Sequence, residues 1–105
     1  MTSSIPIAGV VELIGTFIFL SVILTCVKAS DIGPAVTPLA IGLALTAVIY
    51  FGGGISDGHF NPAVSVMFGL SDGKWERYSV YIVGQLLGAI AAFYFVRYCN
   101  YSYKE

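Results

Sequence analysis

The sequence predicts an all-α membrane protein with three transmembrane helices and one short re-entrant half-helix. Three observations carry that prediction. The first is composition: 57% of the 105 residues are hydrophobic and 10% charged, with a mean hydropathy of +0.85. A soluble domain carries about a quarter charged residues. The second is segment length, since the apolar stretches suit about three spans of ~20 residues each. The third is His59-Phe60-Asn61-Pro62-Ala63-Val64, placed between two such stretches. Asn is a good helix N-cap, and Pro is best tolerated at the first helical position. A helix opening there ends near Leu70, too short to cross a bilayer.

The elements follow in chain order as one domain over residues 1–105. Span one covers about 5–27 and is apolar apart from Glu12 and small hydroxyl residues. A carboxylate inside a span costs a few kcal/mol, so Glu12 is expected to face the protein interior with a partner. Residues 28–38 read as a polar loop punctuated by Gly33, Pro34 and Pro38. Span two covers about 39–54, closed by Gly52, Gly53 and Gly54, and its small residues suit close helix contact. Residues 55–70 read as a re-entrant loop and half-helix, with extended backbone from Ile55 to His59. Such backbone is tolerated in a membrane only where it is buried in protein or lines a wet cavity. Ser71-Asp72-Gly73-Lys74 is a surface turn, and Trp75 and Tyr78 fit an interfacial aromatic belt. Span three covers about 78–96 and carries Gly84 and Gly88 at a small-xxx-small spacing for helix packing, with Gln85 beside them.

Several function classes are disfavoured. A net charge of -1 gives no electrostatic case for nucleic acid. Cys26 and Cys99 are isolated, lack metal-ligand spacing and read as small apolar residues. No nucleophile–base pair, metal set or phosphate loop points to an enzyme, and no cofactor is expected. The start lacks a basic region before its apolar run, so the first span is expected to stay rather than be cleaved. Lys74 and Arg77 fall on one side of the predicted topology, and Lys28, Arg97 and Lys104 on the other. That near balance gives little orientation bias. It fits either a chain with few charges of any kind or one that inserts both ways.

Val11-Glu12-Leu13-Ile14-Gly15-Thr16, Ala40-Ile41-Gly42-Leu43-Ala44, Ile55 through Ser65 with its Asn61-Pro62-Ala63, and Tyr81 through Ala89 together resemble one half of an aquaporin or glycerol facilitator, the major intrinsic protein family. The likeness covers nearly the whole chain. It implies a half aquaporin fold and passive passage of water, glycerol or other small neutral solutes. Members of that family hold two inverted halves whose half-helices meet at the midplane. One half therefore implies an antiparallel homodimer around one pore, and the family's usual fourfold packing implies about eight chains. The alternatives are a fragment needing a partner half, or a non-conducting membrane interaction module. The expected home is a plasma or inner membrane.

The resemblance also implies residue roles. Asn61, Pro62 and Ala63 would form the pore motif, with Asn61 both capping its helix and donating to a passing hydroxyl. The backbone of Asp57, Gly58 and His59 would supply acceptors along the pore. Glu12, His59 and Gln85 would hold the loop, with Glu12 accepting from His59 or loop amides. Ile41, Val64 and the backbone near Gly58 would build the constriction. No arginine follows Asn61-Pro62-Ala63, because Val64 stands there, so an apolar mouth is expected. Asp57 replaces a residue that is usually small and reads equally as a vestibule carboxylate or a turn cap.

Overall fold

The protein is all-α among the residues described, 3–29 and 31–104, in a computed structural model. The ends of the predicted unit, Met1, Thr2 and Glu105, and loop residue Ser30 lie outside the described residues. Four helices follow in order: α1 (Ile5–Lys28), α2 (Val36–Ser56), α3 (Pro62–Asp72) and α4 (Trp75–Lys104). Among the described residues, three stretches are long and apolar enough to cross a membrane: Ile5–Lys28, Val36–Ser56 and Trp75–Cys99. A helix satisfies its backbone internally, which is what lets such apolar segments lie in lipid.

α1 is the central helix. It packs on α2 and on α4, while α3 packs on α4. α1 and α4 run parallel. Ala8 meets Tyr78 and Tyr81 near their starts, and Phe17 meets Phe95 edge-on at 5.3 Å further along. Their backbones touch through glycine. A Cβ on Gly84 would lie 2.7 Å from the Gly9 carbonyl oxygen, and one on Gly88 would lie 2.6 Å from that of Leu13. The small-xxx-small face is therefore consumed inside the chain, where it brings two helices into backbone contact.

Two helices depart from the expected bounds. α2 continues through Gly52, Gly53 and Gly54 to Ser56, so these glycines do not end it and Ile55 is not extended. The reason is packing: a Cβ on Gly52 would lie 2.6 Å from Val11 and 3.0 Å from the Phe60 ring. α4 begins at Trp75 and runs past Val96. Gly73, at φ 74, closes α3 and its carbonyl accepts from the Trp75 N–H. The reversal takes so few residues that Trp75 is already helical, its ring lying over Gly69.

Candidate functional site

The site is the five-residue connection between α2 and α3, Asp57 to Asn61. Asp57 (φ 76), Gly58 (φ 68) and Phe60 (φ 51) all occupy the left-handed region. Asp tolerates that region, Gly is indifferent to it, and a bulky residue such as Phe is an outlier there. Left-handed backbone costs about 1–2 kcal/mol at a residue with a Cβ. Two contacts hold Phe60 in place. Its ring is wedged between Gly15 of α1 and Gly52 of α2, leaving it 1% exposed. Its N–H donates to Glu12 Oε1 at 2.7 Å. Gly15 lies near the middle of α1, so the loop reaches about halfway along the bundle from the end that holds Ser3 and Ile55.

α3 opens at the bottom of the loop. Asn61 is extended and its Oδ1 accepts the Ala63 N–H at 2.9 Å. Pro62, at the first helical position, brings no N–H to satisfy. Asn61 and Ala63 are exposed and Pro62 and Val64 half-buried.

Glu12 is fully buried behind the loop. Oε2 accepts from the Ser56 hydroxyl at 2.6 Å and the His59 N–H at 3.0 Å. Oε1 accepts from the Phe60 N–H and from Gln85 Nε2, both at 2.7 Å. A carboxylate offers roughly four acceptor sites, so its capacity is used. One side chain of α1 thereby joins the end of α2, the loop and α4. Gln85 Nε2 also donates to Ser65 Oγ at 2.9 Å, and Ser65 Oγ pairs with His59 Nδ1 at 2.8 Å. The His59 ring stacks on Phe68 at 4.8 Å and contacts Tyr78 and Tyr81.

A second cluster lies at the loop's outer end. Arg77 donates to the Ser3 carbonyl at 2.6 Å and to the Tyr81 hydroxyl at 2.9 Å. Tyr81 donates onward to Asp57 Oδ2 in a long 3.4 Å contact, and the Ser3 N–H reaches the Ile55 carbonyl at 3.1 Å. Tyr78 donates to Asp72 at 2.8 Å. The Lys74 backbone N–H, then the Tyr78 hydroxyl, hold the Asp72 carboxyl below its ordinary range.

The structure thus brings Glu12, His59 and Gln85 together and adds Ser56, Phe60 and Ser65, which the sequence reading had not singled out. Hydroxyls flanking the loop in otherwise apolar surroundings were the available signal for the two serines. Ile41, Val64 and Gly58 are not gathered within one chain, because α2 and α3 do not pack on each other. Asp57 is exposed and serves as the C-cap of α2. No group of three metal-ligating side chains occurs among the described residues.

Comparison with known proteins adds a family. Residues 3–105 match the family described as Major intrinsic protein. Aquaglyceroporin-3 of Trypanosoma brucei brucei is 40% identical over 85 residues, covering 74% of this chain and 27% of that protein. Aquaporin TIP1-2 of Zea mays is 40% identical over 88 residues, covering 81% and 34%. Glycerol uptake facilitator protein-like 6 of Lactiplantibacillus plantarum is 38% identical over 84 residues, covering 77% and 38%. The matched part is thus between a quarter and two fifths of each relative's length. No solved structure matches.

Proposed function

The chain belongs to the major intrinsic protein family, and from that premise we propose that it supplies half of a passive membrane channel for water and small neutral solutes such as glycerol. A second copy in the opposite orientation completes the pore. One observation carries this reading: the polar tip at Asn61 lies about halfway along the bundle and is exposed, while the Glu12 carboxylate and the Phe60 ring behind it are hydrogen-bonded and wedged. Lipid cannot satisfy irregular backbone at that depth, so the tip must meet water or another protein surface. An inverted second copy offers both. Two positive α3 N-termini would then face each other and repel cations, with Asn61 side chains orienting a single file of water.

In this arrangement Ile41 of one chain approaches Val64 and Gly58 of the other, giving two apolar mouths without a fixed positive charge. The near balance of Lys and Arg between the two sides supports insertion both ways. Four such pores, about eight chains, would follow the family's habit. The non-conducting module is the weaker reading, because the packing face at Gly84 and Gly88 is already occupied by α1.

The test is osmotic shrinkage of proteoliposomes holding only this chain, with glycerol uptake measured in parallel. Fast shrinkage with a low activation energy is expected. Rates equal to those of empty liposomes, with the chain inserted in both orientations, would overturn the self-sufficient pore.

A further inference from the structure

We propose that Phe60 is a positioning residue for the channel: the depth to which its ring enters the slot between α1 and α2 fixes where Asn61 and the start of α3 stand. The inference rests on the channel reading above. Among the described residues, α3 packs on α4 and on neither α1 nor α2. Ser65 ties it to Gln85 of α4. The α1–α2 pair reaches α3 through the loop, where two neighbouring side chains point in opposite directions. The His59 ring turns toward α3 and α4, pairing with Ser65 and lying against Phe68, Tyr78 and Tyr81. The Phe60 ring turns the other way, into a cluster with Val11 of α1 and Val48 of α2. Asn61 follows directly, so no residue stands between the ring and the polar tip to absorb a misfit.

The backbone at Phe60 argues for position rather than packing alone. A ring can be buried from ordinary helical or extended backbone, yet this one is held at φ 51, a region that bulky residues rarely adopt. Strain of that kind persists only where the surroundings over-determine it, and it gathers at functional sites. Here the surroundings are close on several sides. A Cβ on Gly15 would overlap the ring, one on Gly52 would lie 3.0 Å from its Cζ, and one on Gly58 would lie 3.6 Å from its Cε2. Gly15, Gly52 and Gly58 together leave room for one ring, and the Phe60 N–H anchors the backbone beneath it to Glu12. Close-packed interiors transmit strain rather than absorb it. A narrower seat or a smaller side chain therefore moves Asn61. In an inverted pair of chains it also changes the gap between the two Asn61 tips.

The experiment compares Phe60→Leu, Gly15→Ala and the two combined in the full chain, with Phe95→Leu as control. Phe95 packs edge-on against Phe17, away from the loop, so its loss weakens the bundle without touching the seat. Water flux in proteoliposomes and melting temperature in detergent are both measured. Phe60→Leu and Gly15→Ala should each lose most of the flux, while Phe95→Leu keeps it despite a lowered melting temperature. The combination should regain most of the flux, because the smaller side chain makes room for the added methyl. A second arm reads position directly. Spin labels on cysteines replacing Leu39 and Ala63, exposed on α2 and at the start of α3, are compared by pulsed electron paramagnetic resonance. The labelled chains carry Cys26→Ala and Cys99→Ala and are diluted with unlabelled chain. Phe60→Leu and Gly15→Ala should displace the distance distribution, the combination should return it, and Phe95→Leu should leave it in place. Flux that follows melting temperature across all the variants would overturn the proposal, as would a label distance that neither single variant moves. Failure of the channel reading looks different: the unmodified chain would show no flux above empty liposomes, while the label distance still decides whether the ring positions α3.

Discussion

Glu12 and Asn61 lie on opposite sides of one loop, and their surroundings differ completely. Behind the loop, Glu12 is buried and receives four hydrogen bonds drawn from α2, the loop and α4. In front of it, Asn61 is exposed and its side chain serves its own helix through the Ala63 N–H. The Glu12 carboxylate at the rear is satisfied within one chain. The front presents polar groups that nothing among the described residues covers. Selection for stability explains the first region. The second makes physical sense only if something polar or a further protein surface meets it.

The largest blow to that contrast should come from the rear. Glu12→Leu leaves the His59 and Phe60 N–H groups without an acceptor, each costing about 1–3 kcal/mol, and strips Ser56 and Gln85 of their shortest hydrogen bonds. The expected outcome is loss of folded, monodisperse protein in detergent, read by size-exclusion chromatography, with Glu12→Gln retaining part of it. Gly88→Val ranks next, because its side chain enters the Leu13 carbonyl. It should part α1 from α4 and lower the detergent melting temperature sharply, while Ala91→Val on the exposed face of the same helix leaves it unchanged.

Asn61→Ala tests the front. Loss of a helix cap costs about 0.5–2 kcal/mol, so the fold should survive with a modestly lower melting temperature. Water flux in proteoliposomes should fall far more than that stability loss would explain. If flux and stability fell in proportion, the front would be merely structural and the contrast would dissolve.

The smallest effect belongs to Asp72. Its folded carboxyl is held below its ordinary range, so the charged form stabilises the turn. That contribution is fully present above the ordinary carboxylate pKa and disappears as the pH falls through the lowered one. Melting temperatures of wild type and Asp72→Asn should therefore differ slightly near neutrality and converge in strong acid.

The broad fold was legible because bilayer physics is coarse. Spans show as apolar length, and the opening of α3 shows as Asn61 followed by Pro62. Glu12 stood out through the expense of a carboxylate inside a span. Local punctuation misled at Gly52–Gly53–Gly54. A glycine run reads as a break, yet Gly52 belongs to a helix because Phe60 and Val11 need its missing Cβ. The left-handed Phe60 was invisible for a related reason, since its conformation is imposed by a slot made by two other helices.

The slot for Phe60 also has a consequence for biogenesis. Its walls, Gly15 and Gly52, both precede the ring in the chain, so the α1–α2 hairpin can pair during synthesis before Phe60 leaves the ribosome. Glu12 is less fortunate in its timing. It emerges first, while its donors arrive at residues 56, 59, 60 and finally 85. Through most of translation α1 therefore carries a carboxylate that no later helix has yet met. A nascent chain stalled before Ser56 should remain held at the insertion machinery, and one extended past Gln85 should be released into the bilayer.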